Sequence, residues 1–146
     1  MSAEAPLISS SVMGPLGVAH LPRLWLKVLL HACDRLPAGY RHGNGGFDEL
    51  LFTNLGIDGD AFVDYITTQK PDYRTLEAWV RSHATKLTPE AIAAHNAGIL
   101  EAPMLEERAV ARRAELGISD AGFTNAVKLN DLDDWSGTHA RLVGRA

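Results

Sequence analysis

The chain has 146 residues, 46% hydrophobic and 22% charged, which suits one domain that buries its own core. Its formal charge of -4 argues against nucleic-acid binding, which usually needs a basic face. Its single cysteine excludes an intrachain disulfide framework and a zinc site of paired thiolates. No stretch is apolar enough for a membrane span, and no Lys or Arg precedes Arg23 as in a secretory signal peptide, so we expect a cytoplasmic protein.

The first third of the chain predicts an arm, a helix and a loop. Residues 1–17 hold Ala, Ser, Pro and Gly without a period, and we interpret them as an extended or partly ordered arm. Residues 21–36 form the first strong helical pattern, with Pro22 in the first turn, where a missing N–H is tolerated. The glycine-rich residues 37–46 then predict a loop.

The rest of the chain predicts further short helices, with capping residues between them. Gly56 and Gly117 are expected to end helices, and four polar residues are expected to cap helix starts: Asp58, Asp72, Thr88 and Ser119. No run of residues alternates between apolar and polar with period two. The predicted elements together therefore indicate an all-α fold, a single irregular bundle of six or seven short helices. We divide the chain into an arm at 1–17, a helical domain at 18–135 and a polar tail at 136–146.

Three basic residues recur every four positions along the first helix. Arg23, Lys27 and His31 therefore share one face of an otherwise apolar helix. They could form a solvated face whose long stems cover apolar surface. Arg23 or Lys27 could instead pair with an acid, for which the candidates are Asp48, Glu49 and Asp58. In the functional interpretation the face lines a pocket that receives an anion, and a desolvated Lys27 acts as a base or nucleophile.

The loop at 37–46 is the best candidate for a functional loop. It carries Tyr40, Arg41, His42 and Asn44 among glycines and precedes a helix, whose free N–H groups can hold an anion. An ordinary exposed surface loop is the alternative. The spacing of a nucleotide-binding P-loop is absent, and no dinucleotide fingerprint is present, so we expect no cofactor.

The histidines and the cysteine do not predict a metal site. The six histidines are dispersed without His-x-x-x-His spacing. His31 and His95 lie on apolar helices, where each is either a hydrogen-bonded core histidine or an acid–base group of a pocket. We expect Cys33 to be a small buried residue. The tryptophans, Trp25 among them, are expected mainly in the core, although some could wall a pocket.

Several motifs in order resemble a known family. They are Gly17, then Leu-Pro-Arg at 21–23, Lys27, Tyr40, Asp48, Phe52 and Gly-Ile-Asp at 56–58. Together they resemble a bacterial family of small helical proteins known only as a domain of unknown function, over residues 17–100. The resemblance implies a helical fold and no reaction. The resemblance implies Asp at position 26, where this chain has Leu26. It implies Cys-Pro-Leu at positions 45–47, where this chain has Gly-Gly-Phe. A function that relatives place on those residues would be changed or lost here.

Two hypotheses about function follow. In the first, the chain is a small cofactor-independent enzyme of lyase, isomerase or hydrolase type, acting by acid–base chemistry on a small carboxylate-bearing metabolite. Its expected catalytic residues are Lys27, His31, Tyr40 and Asp48. Its expected substrate-binding residues are Arg23, Trp25, His42, Asn44 and His95.

In the second hypothesis the chain is a non-catalytic module that binds a small acid or a partner protein, and a homodimer through exposed apolar helix faces would fit it. Neither hypothesis involves metal, nucleic acid or membrane. They differ at Lys27: a catalytic lysine should titrate well below its reference pKa near 10.4, whereas a paired lysine should not.

Overall fold

The computed structural model describes residues 3–144, so the ends of the predicted arm (1–2) and tail (145–146) lie outside the described residues. Within the described range the chain forms seven α-helices and no strand. An isolated bridge joins Pro103 to Asn125. The predicted all-α bundle is therefore confirmed. The helices are α1 Leu21–Ala32, α2 Gly46–Leu55, α3 Gly59–Gln69, α4 Tyr73–His83, α5 Pro89–Glu101, α6 Glu106–Leu116 and α7 Ala126–Leu142.

Most of the predicted helix caps are present. The side chains of Asp58, Asp72 and Thr88 each accept a hydrogen bond from the backbone N–H three residues later, at 2.8–3.1 Å. Gly56 and Gly117 end α2 and α6 with φ of 64° and 74°, in the left-handed region that favours glycine. These local signals confirm the predicted positions of α3, α4 and α5.

Three helix boundaries differ from the prediction, namely the end of α1 and both ends of α7. Helix α1 ends at Ala32 instead of residue 36, because Asp34 takes a left-handed φ of 57° and the Arg35 N–H turns back to the Leu30 carbonyl at 2.8 Å. The C-terminal helix does not begin after Ser119 as predicted. Asn125 caps it instead, and its side chain accepts from the Lys128 N–H at 3.0 Å.

The residues before α7 explain its later start. In the intervening turn the Asp120 carboxylate accepts from the Gly122 N–H at 2.8 Å. Phe123 packs against the apolar cluster of α6 and α7. Helix α7 then continues to Leu142, beyond Ser136, where we placed the start of a polar tail.

The hydrophobic core has two main parts. The larger joins α1, α2, α3 and α4 and includes Leu24, Leu51, Phe62 and Leu76, all fully buried. A smaller cluster joins α6 and α7 around Leu129. No helix in residues 3–144 combines the length and apolar character needed to cross a bilayer.

The predicted arm is folded onto the start of α1. Backbone carbonyls of Pro6 and Ile8 accept hydrogen bonds from Arg23, at 2.8 and 3.0 Å. The Leu16 N–H donates to Glu77 on α4 at 3.0 Å. As a result, one arm residue, Ser10, helps to line the cleft described next.

Candidate functional site

A cleft of about 780 Å³ lies where the arm, the start of α1, the glycine-rich loop and helices α6 and α7 meet. Its volume is in the usual range for small-molecule sites. We call its buried polar lining the cleft floor, which consists of Ser10, His20, Arg23, Lys27, Asp48 and Asp134. Phe47, Met104 and Leu105 contribute apolar surface to the same cleft. The site therefore combines buried charge with an apolar wall.

Asp48, near the start of α2, is the centre of the cleft floor. Its Oδ1 accepts hydrogen bonds from His20 Nε2 at 2.7 Å and Lys27 Nζ at 2.8 Å, and its Oδ2 accepts from the Gly43 N–H at 2.9 Å. Burial alone would raise the pKa of Asp48, but the His20 hydrogen bond and the Lys27 charge lower it to about 2. Asp48 is therefore an ionised carboxylate that ties the loop to α1.

His20 is the buried imidazole of the cleft floor. Burial lowers its pKa to about 4, which outweighs the opposing effect of Asp48. A neutral imidazole carries one N–H, and ionised Asp48 can only accept, so Nε2 carries the hydrogen. His20 Nδ1 therefore has a free lone pair and accepts from the Ser10 hydroxyl, 2.8 Å away. The result is a continuous chain from Ser10 through His20 to Asp48.

The backbone of His20 is strained. It precedes α1 with a φ of 76°, in the left-handed region that a non-glycine residue seldom adopts. Its side chain is 2% exposed and meets the edge of the Phe47 ring at a centroid distance of 5.5 Å. Strain of this kind persists where surrounding contacts hold it, and it is enriched at functional sites.

A second network, around Asp134 of α7, borders the first. Asp134 Oδ2 accepts from Arg23 Nη1 at 2.7 Å, and its Oδ1 accepts from the Tyr40 hydroxyl at 2.7 Å. Burial, followed by this hydrogen bond, raises the pKa of Tyr40. Tyr40 therefore stays protonated and donates to Asp134, which makes it a poor base. Arg23 Nη2 has no acceptor within residues 3–144.

Three further arginines line the cleft, and not all of them lie beside an acid among the described residues. Arg112 lies 3.5 Å from Glu115 and 3.6 Å from Asp133. Arg41 and Arg108 also line the cleft, but neither forms an ion pair with any described residue. Because the Lys27 and Arg23 charges are matched by Asp48 and Asp134, Arg41 and Arg108 are the arginines of the cleft lining that have no acid beside them in the part of the chain that the structure describes.

The structure brings together six of the residues predicted for the site. They are Arg23, Lys27, Tyr40, His42, Asn44 and Asp48, all of which line the cleft. Three others lie outside its lining. His31 is exposed and stacks on the His42 ring, with ring centroids 3.7 Å apart.

Trp25 and His95 make their hydrogen bonds outside the cleft lining. The Trp25 indole N–H donates to the Pro71 carbonyl at 2.9 Å, and the indole ring packs on α4. His95 Nε2 donates to the Ala19 carbonyl at 2.9 Å, and its Nδ1 accepts from Asn54 at 2.9 Å. His95 is thus a hydrogen-bonded core histidine, which was the alternative left open for it.

Lys27 combines the two properties that were expected to separate the hypotheses. It is paired with Asp48, one of the acids predicted as its partner, at 2.8 Å. Burial nevertheless lowers the pKa of Lys27, against the opposing effects of Asp48. A lysine that faces an ionised carboxylate keeps its proton, so the basic lone pair of this network is that of His20 Nδ1, which accepts from Ser10.

Sequence reasoning overlooked Ser10, His20 and Asp134. One signal for His20 was present, because it lies three residues before Arg23 and extends the basic face toward the N-terminus. Ser10 and Asp134 carried no local signal, since Asp134 meets Arg23 across 111 positions.

Cys33 is exposed, so its predicted burial was wrong, because it follows the last turn of α1. Among residues 3–144 no group of three His, Cys, Asp or Glu side chains is placed to hold a metal ion.

Comparison with known proteins identifies the family without assigning a reaction. A family model described as a domain of unknown function (DUF5069) matches residues 7–135. A search of curated proteins gives no match. The matched range includes the whole cleft floor, from Ser10 to Asp134. The chain therefore belongs to the DUF5069 family, a domain of unknown function, as the sequence motifs predicted.

Proposed function

We propose that this protein is a small cytoplasmic enzyme that performs acid–base chemistry on a small carboxylate-bearing metabolite in the cleft. The observation that carries the proposal is the imidazole of His20, whose Nε2 is held by ionised Asp48 and whose Nδ1 is hydrogen-bonded to Ser10, another residue of the cleft lining. A positioned imidazole of this kind is the most frequent general acid–base group in enzymes. The sequence carries no dinucleotide fingerprint, so the proposed chemistry is cofactor-independent.

Each residue of the cleft floor has a distinct role in this proposal. His20 accepts and returns the proton. Asp48 orients the ring and stabilises the imidazolium that forms, while Lys27 keeps Asp48 ionised and in place. Tyr40 holds Asp134, which in turn fixes Arg23. The proton transfer that we first expected of Lys27 is thereby assigned to His20.

The substrate class follows from the remaining charges and the apolar wall. Arg41 and Arg108 are cations without an acidic partner among residues 3–144, and an arginine fork matches the geometry of a carboxylate. Phe47 and Leu105 would contact the apolar part of the same molecule. A small carboxylate with a short apolar portion fits these features best.

The second candidate is a non-catalytic module that binds the same class of acid. The Lys27–Asp48 and Arg23–Asp134 pairs favour it, because they join the loop and α7 to α1 as structural ion pairs would. A homodimer is part of this candidate, since Leu105, Val110 and Trp135 are each more than half exposed on or beside α6 and α7.

The test begins with ligand binding. Isothermal titration with a panel of small mono- and dicarboxylates is expected to find a ligand whose Kd rises about tenfold in Arg108→Gln, for a loss of ~1.4 kcal/mol. Arg81→Gln, an exposed charge on α4 outside the cleft lining, is the matched control and should leave Kd unchanged. Absence of any carboxylate ligand, or equal Kd values for both variants, would overturn the proposal.

A second measurement separates enzyme from binding module. Bound acids are followed by proton NMR in D₂O for exchange or conversion catalysed by the wild type, which should be lost in His20→Gln. Binding without exchange or conversion would favour the non-catalytic candidate.

A further inference from the structure

In the serine run at residues 9–11, one hydroxyl has a different hydrogen-bond partner from the other two. Ser9 Oγ donates to Asp131 at 3.0 Å and lies 2.9 Å from Ser11 Oγ, and neither of these two hydroxyls is hydrogen-bonded to His20. The Ser10 hydroxyl alone meets His20 Nδ1, at 2.8 Å, and Ser10 is 2% exposed. Ser10 also lines the cleft.

We propose that Ser10 is a covalent nucleophile, and that Ser10, His20 and Asp48 form a serine–histidine–aspartate relay for acyl transfer. The inference rests on the proposed function and specifies its reaction as hydrolysis of an ester of a small carboxylate-bearing acid. The relay has the required connections: hydroxyl to imidazole at 2.8 Å and imidazole to carboxylate at 2.7 Å. Here the serine is on Nδ1 and the acid on Nε2, an exchange of the two ring nitrogens relative to serine proteases.

The proposed step balances with water as the only co-reactant. Ser10 Oγ forms a bond to the ester carbonyl carbon while its proton passes to His20 Nδ1. The bond between that carbon and the alcohol oxygen breaks, and the alcohol leaves with the proton from Nδ1. Water then attacks the acyl-serine, giving a proton to Nδ1, and Ser10 recovers its proton as the free acid departs. Asp48 stabilises the transient imidazolium throughout.

The hydrogen-bond partners of Lys27 and Asp48 explain why the relay is held so firmly. Asp48 is fixed from three directions by His20, Lys27 and the Gly43 N–H, so it cannot rotate away from the imidazole. The strained φ of His20 places its ring between Ser10 and Asp48.

The experiment uses the full chain and a small serine-directed probe, diisopropyl fluorophosphate. Attack by Ser10 forms an Oγ–P bond and expels fluoride, and His20 takes the proton. Intact mass and peptide mapping are expected to show one adduct, located on Ser10. The rate of labelling should fall about 100-fold or more in His20→Gln, whereas Ser11→Ala, the matched control in the same run, should be labelled like the wild type.

The outcomes separate this inference from the proposed function. The location of the adduct on the wild-type chain needs no variant, so it decides the matter even if His20→Gln fails to fold. No adduct, an adduct on Ser9 or Ser11, or an undiminished rate in folded His20→Gln overturns the inference. If carboxylate binding and its Arg108 dependence persist in that case, the proposed function stands without a covalent step.

Discussion

Asp48→Asn is the most informative single change for the cleft floor. Asparagine keeps the volume of the side chain but removes the charge that faces Lys27, and it puts an amide donor where Oδ2 accepts from Gly43. Both side chains of the ion pair are nearly inaccessible, at 7% and 1%. Removing one partner of such a pair leaves an uncompensated buried charge, which costs about 3–5 kcal/mol. At this chain length the midpoint of thermal unfolding should fall by roughly 6–20 °C.

The matched control is Asp58→Asn, the same chemical change at the cap of α3. Asp58 is exposed, and asparagine caps a helix as well as aspartate does, so this variant should unfold close to the wild type. Both variants are measured by circular dichroism and by urea unfolding at pH 7. The loss of unfolding free energy caused by Asp48→Asn should be smaller at pH 9 than at pH 7, because a buried Lys27 without its acid loses its proton more easily as pH rises.

A double-mutant cycle with Lys27→Met tests the pairing itself. If Lys27 and Asp48 stabilise each other, the double variant should lose less free energy of unfolding than the two single variants together, by about 1 kcal/mol or more. A midpoint for Asp48→Asn within two degrees of the wild type, or strictly additive losses in the cycle, would refute the network as described.

Two further predictions concern pH and backbone geometry. Because His20 has a pKa of about 4 when folded and 6.5 as its ordinary value, the unfolded chain binds its proton first, so stability falls as pH drops from 6.5 to 4. The loss is about 3 kcal/mol, and urea unfolding across this range should show a shallower slope for His20→Gln; parallel slopes would contradict the assignment. Gly56→Ala should lower the free energy of unfolding by roughly 1–3 kcal/mol, since φ is +64° and the new Cβ would meet Thr85 Oγ1. Gly98→Ala, in open space within α5, should instead raise it by about 0.5–1 kcal/mol; equal effects would show that backbone conformation is not the cause.

Part of the site was predictable because its residues lie on regular elements. Arg23 and Lys27 are one helical turn apart, so the sequence placed them on one face, and Asp48 was among the acids predicted to pair with them. The same periodicity misplaced His31 in the site. It lies at the last turn of α1, where it meets solvent and the His42 ring.

The sequence by itself determined the helices and most of their ends. Asp58, Asp72 and Thr88 act on backbone groups three residues away, and Gly56 acts through its own φ, so these effects need no distant partner.

Only the tertiary structure decided which polar groups meet in the cleft. Ser10 reaches His20 from the folded arm, Asp48 reaches it from α2, and Asp134 reaches Arg23 from α7. A buried charge is stable only when a partner arrives, and that partner can come from any element that packs nearby. Periodicity identifies the face of a helix on which a charge lies, but the packing of the arm, α2 and α7 against α1 determines what that charge meets.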